Sequence, residues 1–149
     1  MFKKMLVPTD GSDLSSKTVE KAIVFAGETG AAIVFLYAMH EPPIPLSDLS
    51  DTAHYEPEKT KKYAEAVQEY ASKILNKAVE LAKQSGIDAA CMSVTDDSPY
   101  AAIVRVAEEQ ACDLIFMASH GRRGLSGLLL GSETHKVLTH SKIPVLIYR

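Results

Sequence analysis

Apolar residues in this chain fall into short unbroken runs that alternate with longer stretches in which they recur every three or four positions. KMLVPTD, from Lys4 to Asp10, reads as a buried strand ending at Pro8. DLSSKTVEKAIVFAGETG follows with helical spacing, with Asp13 as its N-cap and Gly30 as its stop. AAIVFLYAMH, Ala31 to His40, is continuous, rich in β-branched and aromatic residues and too short for an isolated helix, so it predicts a second buried strand. EPPIPLSDLSDTAHYEP then places Pro42, Pro43 and Pro45 before Asp48 without a sustained period, which marks a long loop or flap. From Glu58 to Gln84, Tyr63, Val67, Tyr70, Ile74, Ala78 and Leu81 form the stripe of a helix packed on a sheet, ended by Gly86. IDAACMSV is a third strand. Ser98 and Pro99 supply the N-cap and first-position proline of a helix running to about Gln110. CDLIFMA is a fourth strand, a short helix runs from Ser132 to about His140, and IPVLIYR closes the chain as a fifth strand.

Strands alternating with helices imply right-handed crossovers and a parallel sheet covered on both faces, so the fold class is α/β. Pro144, placed within the last strand, would cost a central strand a ladder hydrogen bond, which puts this strand at the sheet edge. An apolar edge from Val145 to Tyr148 invites pairing with a second copy, so a homodimer is expected. The 149 residues, 46% of them hydrophobic, suffice for one domain with one substantial core. A formal charge of −3, from 16 basic and 19 acidic residues interspersed, excludes a strong basic field for nucleic acid. Apolar runs such as Ala31 to Met39 are too short to cross a bilayer, and the Met-Phe-Lys-Lys start leads into a strand rather than a cleavable signal. A cytoplasmic protein with no membrane partner is expected. Cys91 and Cys112 lie in apolar segments without CxxC spacing and read as buried thiols in a reducing compartment.

Two loops leave strand ends with chemistry to offer. PTDGS presents Pro8, the Asp10 carboxylate and the amides of Gly11 and Ser12. ASHGRRGLSGLLLGS presents glycines that let a backbone approach an anion, Arg122 and Arg123, and a helix start at Gly131 and Ser132, where unpaired amides carry partial positive charge. In an open parallel sheet such loops flank the crevice where strand order reverses. Neither GxxxxGKS/T nor GxGxxG after the first strand is present, and glycine spacing alone fits a loop whose glycines only permit turns as well as it fits a phosphate cradle.

Taken together, MLVPTDGS, DLIFMASHGRRG and GLLLGSETHKVLTHSKIPVLIYR resemble the universal stress protein family, and the order of elements is similar over essentially the whole chain. The motif G-x2-G-x9-G-S/T of the family's nucleotide-binding members is matched by Ala118, Gly121, Gly131 and Ser132, with alanine at its first position. The resemblance implies one domain over residues 1–149: an open, Rossmann-like, five-stranded parallel sheet of adenine nucleotide alpha hydrolase-like type in the order 3-2-1-4-5, with helices on both faces. It also implies ATP or AMP lying across the ends of strands one and four. On matching positions, Pro8, Thr9 and Asp10 would line the adenine and ribose side, the Ala38 backbone would meet the adenine edge, and Met117 and Ala118 would flank the ribose. Gly121, Arg122, Arg123 and Gly124, with Gly131, Ser132, Glu133 and Thr134, would surround the phosphates, holding them through amides and hydroxyls. Asp10 could position a magnesium ion through water. Glu133 would be an awkward neighbour for a phosphate: its amide would donate while its side chain turns away, but a lower affinity for a triphosphate than for AMP is expected.

Other residues have plainer readings. His120 has no identifiable catalytic partner and reads as a loop-ordering hydrogen bonder; His135 and His140, five apart, do not share a helix face and read as surface residues. Arg122 and Arg123 either clamp phosphate or are solvated. Asp96 and Asp97 suit the start of the helix that follows them. Ser126 lacks the GxSxG spacing of a nucleophile elbow, and the proline-rich flap either covers the base or meets a partner. Without a general base other than Asp10 near the phosphates, chemistry would be at most slow ATP hydrolysis, and signalling in the stress response through occupancy is expected instead. Two alternatives stand beside this reading. One is a receiver-like phosphoacceptor pairing Asp10 with Asp96 or Asp97; the other is an interaction module that holds no nucleotide.

Overall fold

In the computed structural model, which describes residues 1–40, 57–121 and 129–149, successive side chains of each central strand go to opposite faces of one sheet. The elements are β1 (Lys4–Pro8), α1 (Asp13–Thr29), β2 (Ala32–Met39), α2 (Pro57–Gln84), β3 (Ala89–Thr95), α3 (Pro99–Glu109), β4 (Leu114–Ala118), α4 (Ser132–His140) and β5 (Val145–Tyr148). All pairings are parallel, in the order β3-β2-β1-β4-β5. The chain therefore builds outward from β1 to one side, returns, and builds outward to the other.

Met5, Val7, Ile33, Phe35, Leu114 and Phe116 pack under α1 and α2, against Val19, Ala22, Ile23 and Ala26 of the first helix and Ala71, Leu75, Ala78 and Ala82 of the second. Leu6, Val34, Leu36, Ile115 and Met117 face the other way, toward Ile103, Val106 and Ala107 of α3 and Val137 of α4. Fully burying one such side chain is worth about 1.5–3 kcal/mol, so a one-residue slip that exchanged the two faces would cost many times that. Among the described residues no helix is long and apolar enough to cross a membrane.

Five local expectations are corrected. The N-cap of α1 is Ser12, whose Oγ accepts from the Ser15 amide at 3.2 Å; Asp13 is the first helical residue, its carboxylate placed where the helix dipole favours it. Gly30 does end that helix, in the left-handed region at φ 72°. The buried face of α2 runs through Ala71, Leu75, Ala78 and Ala82, while Tyr63 and Tyr70 remain exposed and Ile74 and Leu81 only flank the core. Pro144 precedes β5 rather than lying in it, and its carbonyl accepts from the Ile115 amide at 2.9 Å. Ser98 is the N-cap of α3 but makes no side-chain cap bond; Asp96 Oδ1 accepts the Ser98 amide instead, at 2.9 Å, and its other oxygen lies 3.5 Å from Arg105. Finally, Cys91 is exposed because β3 is an edge strand, whereas Cys112 is buried and burial pushes its thiol up, which keeps it protonated and unreactive.

Candidate functional site

The reversal of strand order leaves a crevice beyond the carboxyl ends of β1 and β4, which are neighbours in the sheet. On the β1 side, the Thr9 amide donates to the Leu36 carbonyl at 2.8 Å and its buried hydroxyl shares a 2.7 Å hydrogen bond with Ser15, so the chain leaves the strand rigidly. The Asp10 amide donates to Ser15 Oγ at 3.2 Å, and its carboxylate accepts from the Ser12 amide at 2.9 Å. Gly11 between them takes φ +77°, a conformation a side chain would strain, and it sits under Ile74 and the Tyr70 hydroxyl of α2. Pro8 pairs with Leu36, which brings the half-buried Ala38, two residues farther along β2, to the level of Asp10.

On the β4 side, Met117 is buried and Ala118 is half-buried beside Tyr148 of β5. Ser119 then donates its amide to the Tyr148 carbonyl and accepts the Gly131 amide, both at 2.8 Å, which folds the end of the loop back onto the start of α4. His120 bonds Ser119 Oγ through Nδ1 at 3.2 Å. The two loops meet at Gly121: a Cβ there would stand 2.5 Å from Asp10 Oδ2. At Gly131 a Cβ would stand 3.1 Å from the His120 Cα, so the β4 loop also crosses the helix start closely.

The regular ladder of α4 begins with the His135 amide donating to the Gly131 carbonyl at 2.9 Å, and Gly131 offers no side chain as a cap. The amides of Ser132, Glu133 and Thr134 precede that ladder and carry the partial positive charge of the helix start. Ser132 is exposed, whereas Thr134 is buried and its hydroxyl is already donated to the Ala118 carbonyl at 3.1 Å, which leaves its amide for other work. The Glu133 carboxylate turns away to α3, accepting the Tyr100 amide at 2.9 Å.

Pro8, Thr9, Asp10, Ala38, Met117, Ala118, Gly121, Gly131, Ser132, Glu133 and Thr134 thus share one end of the sheet. Arg122, Arg123, Gly124 and Ser126, and the prolines at 42, 43 and 45, lie outside the described residues. Asp10 and Asp96 are not brought together, because β2 stands between β1 and β3, and Asp96 is engaged with Ser98 and Arg105. Among the described residues no three His, Cys, Asp or Glu side chains converge as a metal group would need. A cavity of about 700 Å³ opens elsewhere, between Met39, His40 and Thr95 at the ends of β2 and β3 and Tyr63, Val67 and Gln68 of α2. Sequence reasoning missed it, because it assigned that part of the α2 stripe to the core.

The model of the universal stress protein family matches residues 1–149. The chain is 34% identical to the universal stress protein YxiE of Bacillus subtilis over the full length of both. Its fold is similar to that of protein MJ0577, of which the relative from Methanocaldococcus jannaschii carries the name, with a TM-score of 0.80 at 26% identity, covering 99% of this chain and 95% of the other. It is also similar to a universal stress protein solved in complex with cAMP, with a TM-score of 0.67 at 29% identity, covering 99% and 97%.

Proposed function

The chain belongs to the universal stress protein family, and from that premise we propose that it binds an adenine nucleotide, ATP or AMP, across the carboxyl ends of β1 and β4. The observation that carries this reading is the meeting of the two loops at the switch point, where a Cβ at Gly121 would press on the Asp10 carboxylate and the start of α4, without a side-chain cap, begins alongside. A related structure that holds cAMP supports the choice of an adenine nucleotide. Pro8, Thr9 and Ala38 line the base and ribose end, Met117 and Ala118 flank the ribose, and the amides of Gly121 and Ser132 to Thr134 face the phosphates. The Ala118 methyl stands at a half-buried position where the motif has glycine. Among the described residues Asp10 is the carboxylate at the loop junction, so a magnesium ion held there would draw its other oxygens from phosphate and water. The protein then acts in the cytoplasm as one domain and a homodimer, signalling by occupancy rather than turnover, since Asp10, the candidate base at the loop junction, already accepts the Ser12 amide.

The test is to release ligand from the purified protein, identify it by mass spectrometry, and titrate AMP and ATP with and without magnesium. Adenine nucleotide is expected in the released fraction or on titration. Gly131→Leu, which fills the helix start and presses on the His120 backbone, should lose it while keeping the far-UV circular dichroism of the sheet and helices. A protein that neither carries nor binds nucleotide would turn the reading to an interaction module.

A further inference from the structure

Glu133 is the second residue of α4, beside the amides assigned to phosphate, where a carboxylate would compete with the ligand. Its side chain is spoken for by groups outside that cradle. Oε2 accepts the backbone amide of Tyr100, thirty-three residues earlier, at 2.9 Å, and Oε1 meets Lys136 Nζ at 3.2 Å. Tyr100 is the second residue of α3, after Pro99, and an amide there has no partner in its own helix. Ser98, the N-cap, makes no side-chain bond to fill the gap, so the cap of α3 comes from α4. The same tyrosine is held again farther along α4, with Lys136 Nζ 5.4 Å from its ring centroid and the His140 ring 5.0 Å away.

We infer that Glu133 is a positioning residue that fixes the start of α4 against α3 and sets the site's preference among adenine nucleotides by their number of phosphates, an inference that rests on the nucleotide reading above. The bond to Tyr100 keeps the carboxylate out of the phosphate path without removing its charge from the neighbourhood. Each further phosphate adds negative charge near the helix start, and the Lys136 ammonium at 3.2 Å offsets only part of the carboxylate's charge, so the penalty grows from AMP to ATP. Loss of the bond would leave the helix start less well fixed for any of them.

Two variants separate the two roles. Glu133→Gln keeps a carbonyl for the Tyr100 amide and removes the charge; Glu133→Ala removes both. On isotopically labelled protein, hydrogen exchange at the Tyr100 amide and titrations with AMP and ATP at fixed ionic strength are measured together. E133Q should leave Tyr100 exchange near wild type and tighten ATP about three- to tenfold more than AMP. E133A should speed Tyr100 exchange about tenfold and weaken AMP. A change in E133Q that is equal for AMP and ATP, or Tyr100 exchange that E133A leaves unmoved, would overturn the inference while wild-type binding upheld the nucleotide reading. Wild-type protein that binds neither nucleotide would instead overturn the reading and the preference with it, and Tyr100 exchange would still report whether Glu133 ties the helices.

Discussion

At the scale of single residues, Gly121 and Asp10 illustrate how a glycine can be required by its neighbour rather than by its own backbone. A Cβ at Gly121 would stand 2.5 Å from Asp10 Oδ2, so an alanine must push aside a carboxylate that is holding the Ser12 amide. Gly121→Ala alone is expected to destabilise the fold by about 1–3 kcal/mol in urea unfolding. Among the described residues the positive-φ glycines are Gly11, Gly30 and Gly86, and Gly121 is not one of them. With Asp10→Ala already in place, the same change should therefore be neutral or stabilising by about 0.4–1 kcal/mol, because the unfolded chain loses freedom. A double-mutant cycle decides the matter: additive effects would mean that the Asp10 contact is not what excludes a side chain. The glycine pattern itself was legible in the sequence, as was Asp10 at a strand end. The reason for Gly121 was not, because it depends on a carboxylate more than a hundred residues earlier in the chain.

At the scale of elements, the apolar runs gave up the strands readily because the central strands are buried on both faces and leave no polar alternation to confuse the pattern. The long helix was read less well. At about 1.5 Å per residue, the 28 residues of α2 span roughly 42 Å, whereas the eight residues of β2 rise roughly 26 Å, so the helix outruns the sheet it covers. Its buried residues start only at Ala71, and Tyr63 and Val67 meet the 700 Å³ cavity instead of the core. The cap that Glu133 gives α3 was equally illegible, since no periodicity links a side chain to a backbone amide in another helix. A similar long-range tie joins β1 to the start of β4: the Asp113 carboxylate accepts the Lys3 amide at 2.8 and 3.1 Å and the Lys4 amide at 3.1 Å. Burial pushes the Asp113 carboxyl up, but the Lys3 and Lys4 amides, its own amide and the Lys3 charge outweigh it, and its pKa lies below the ordinary carboxylate range. A carboxylate depressed on folding stabilises above its unfolded pKa, about 3.9, and loses that contribution as pH falls through the folded value. Asp113→Asn should thus lower the melting temperature at pH 7, and the gap from wild type should close progressively below about pH 4. A gap that stayed constant down to acid pH would show that the charge contributes nothing.

At the scale of the whole molecule, the sheet has one edge whose chemistry suits a second copy. The carbonyls of Pro144 and Tyr148 both point to β4, where they accept from Ile115 and Ser119. Strand alternation then turns the backbone groups of Val145 and Ile147 outward, with the half-buried side chains of β5 around them. Outward-turned donors and acceptors with apolar flanks are a template for pairing, and no proline or bulge lies within Val145–Tyr148 to blunt it. Pro144, which from sequence alone marked this strand as an edge, stops short of protecting it because it lies one residue outside the strand. Sedimentation equilibrium should accordingly give the mass of two chains for the wild type. Ile147→Pro removes one outward N–H while sparing the bonds to β4, and proline is tolerated where an edge N–H faces outward, so the variant should sediment as a single folded chain. If wild-type protein runs at one chain's 16.2 kDa across micromolar concentrations, β5 does not pair with a second copy and the homodimer expectation fails.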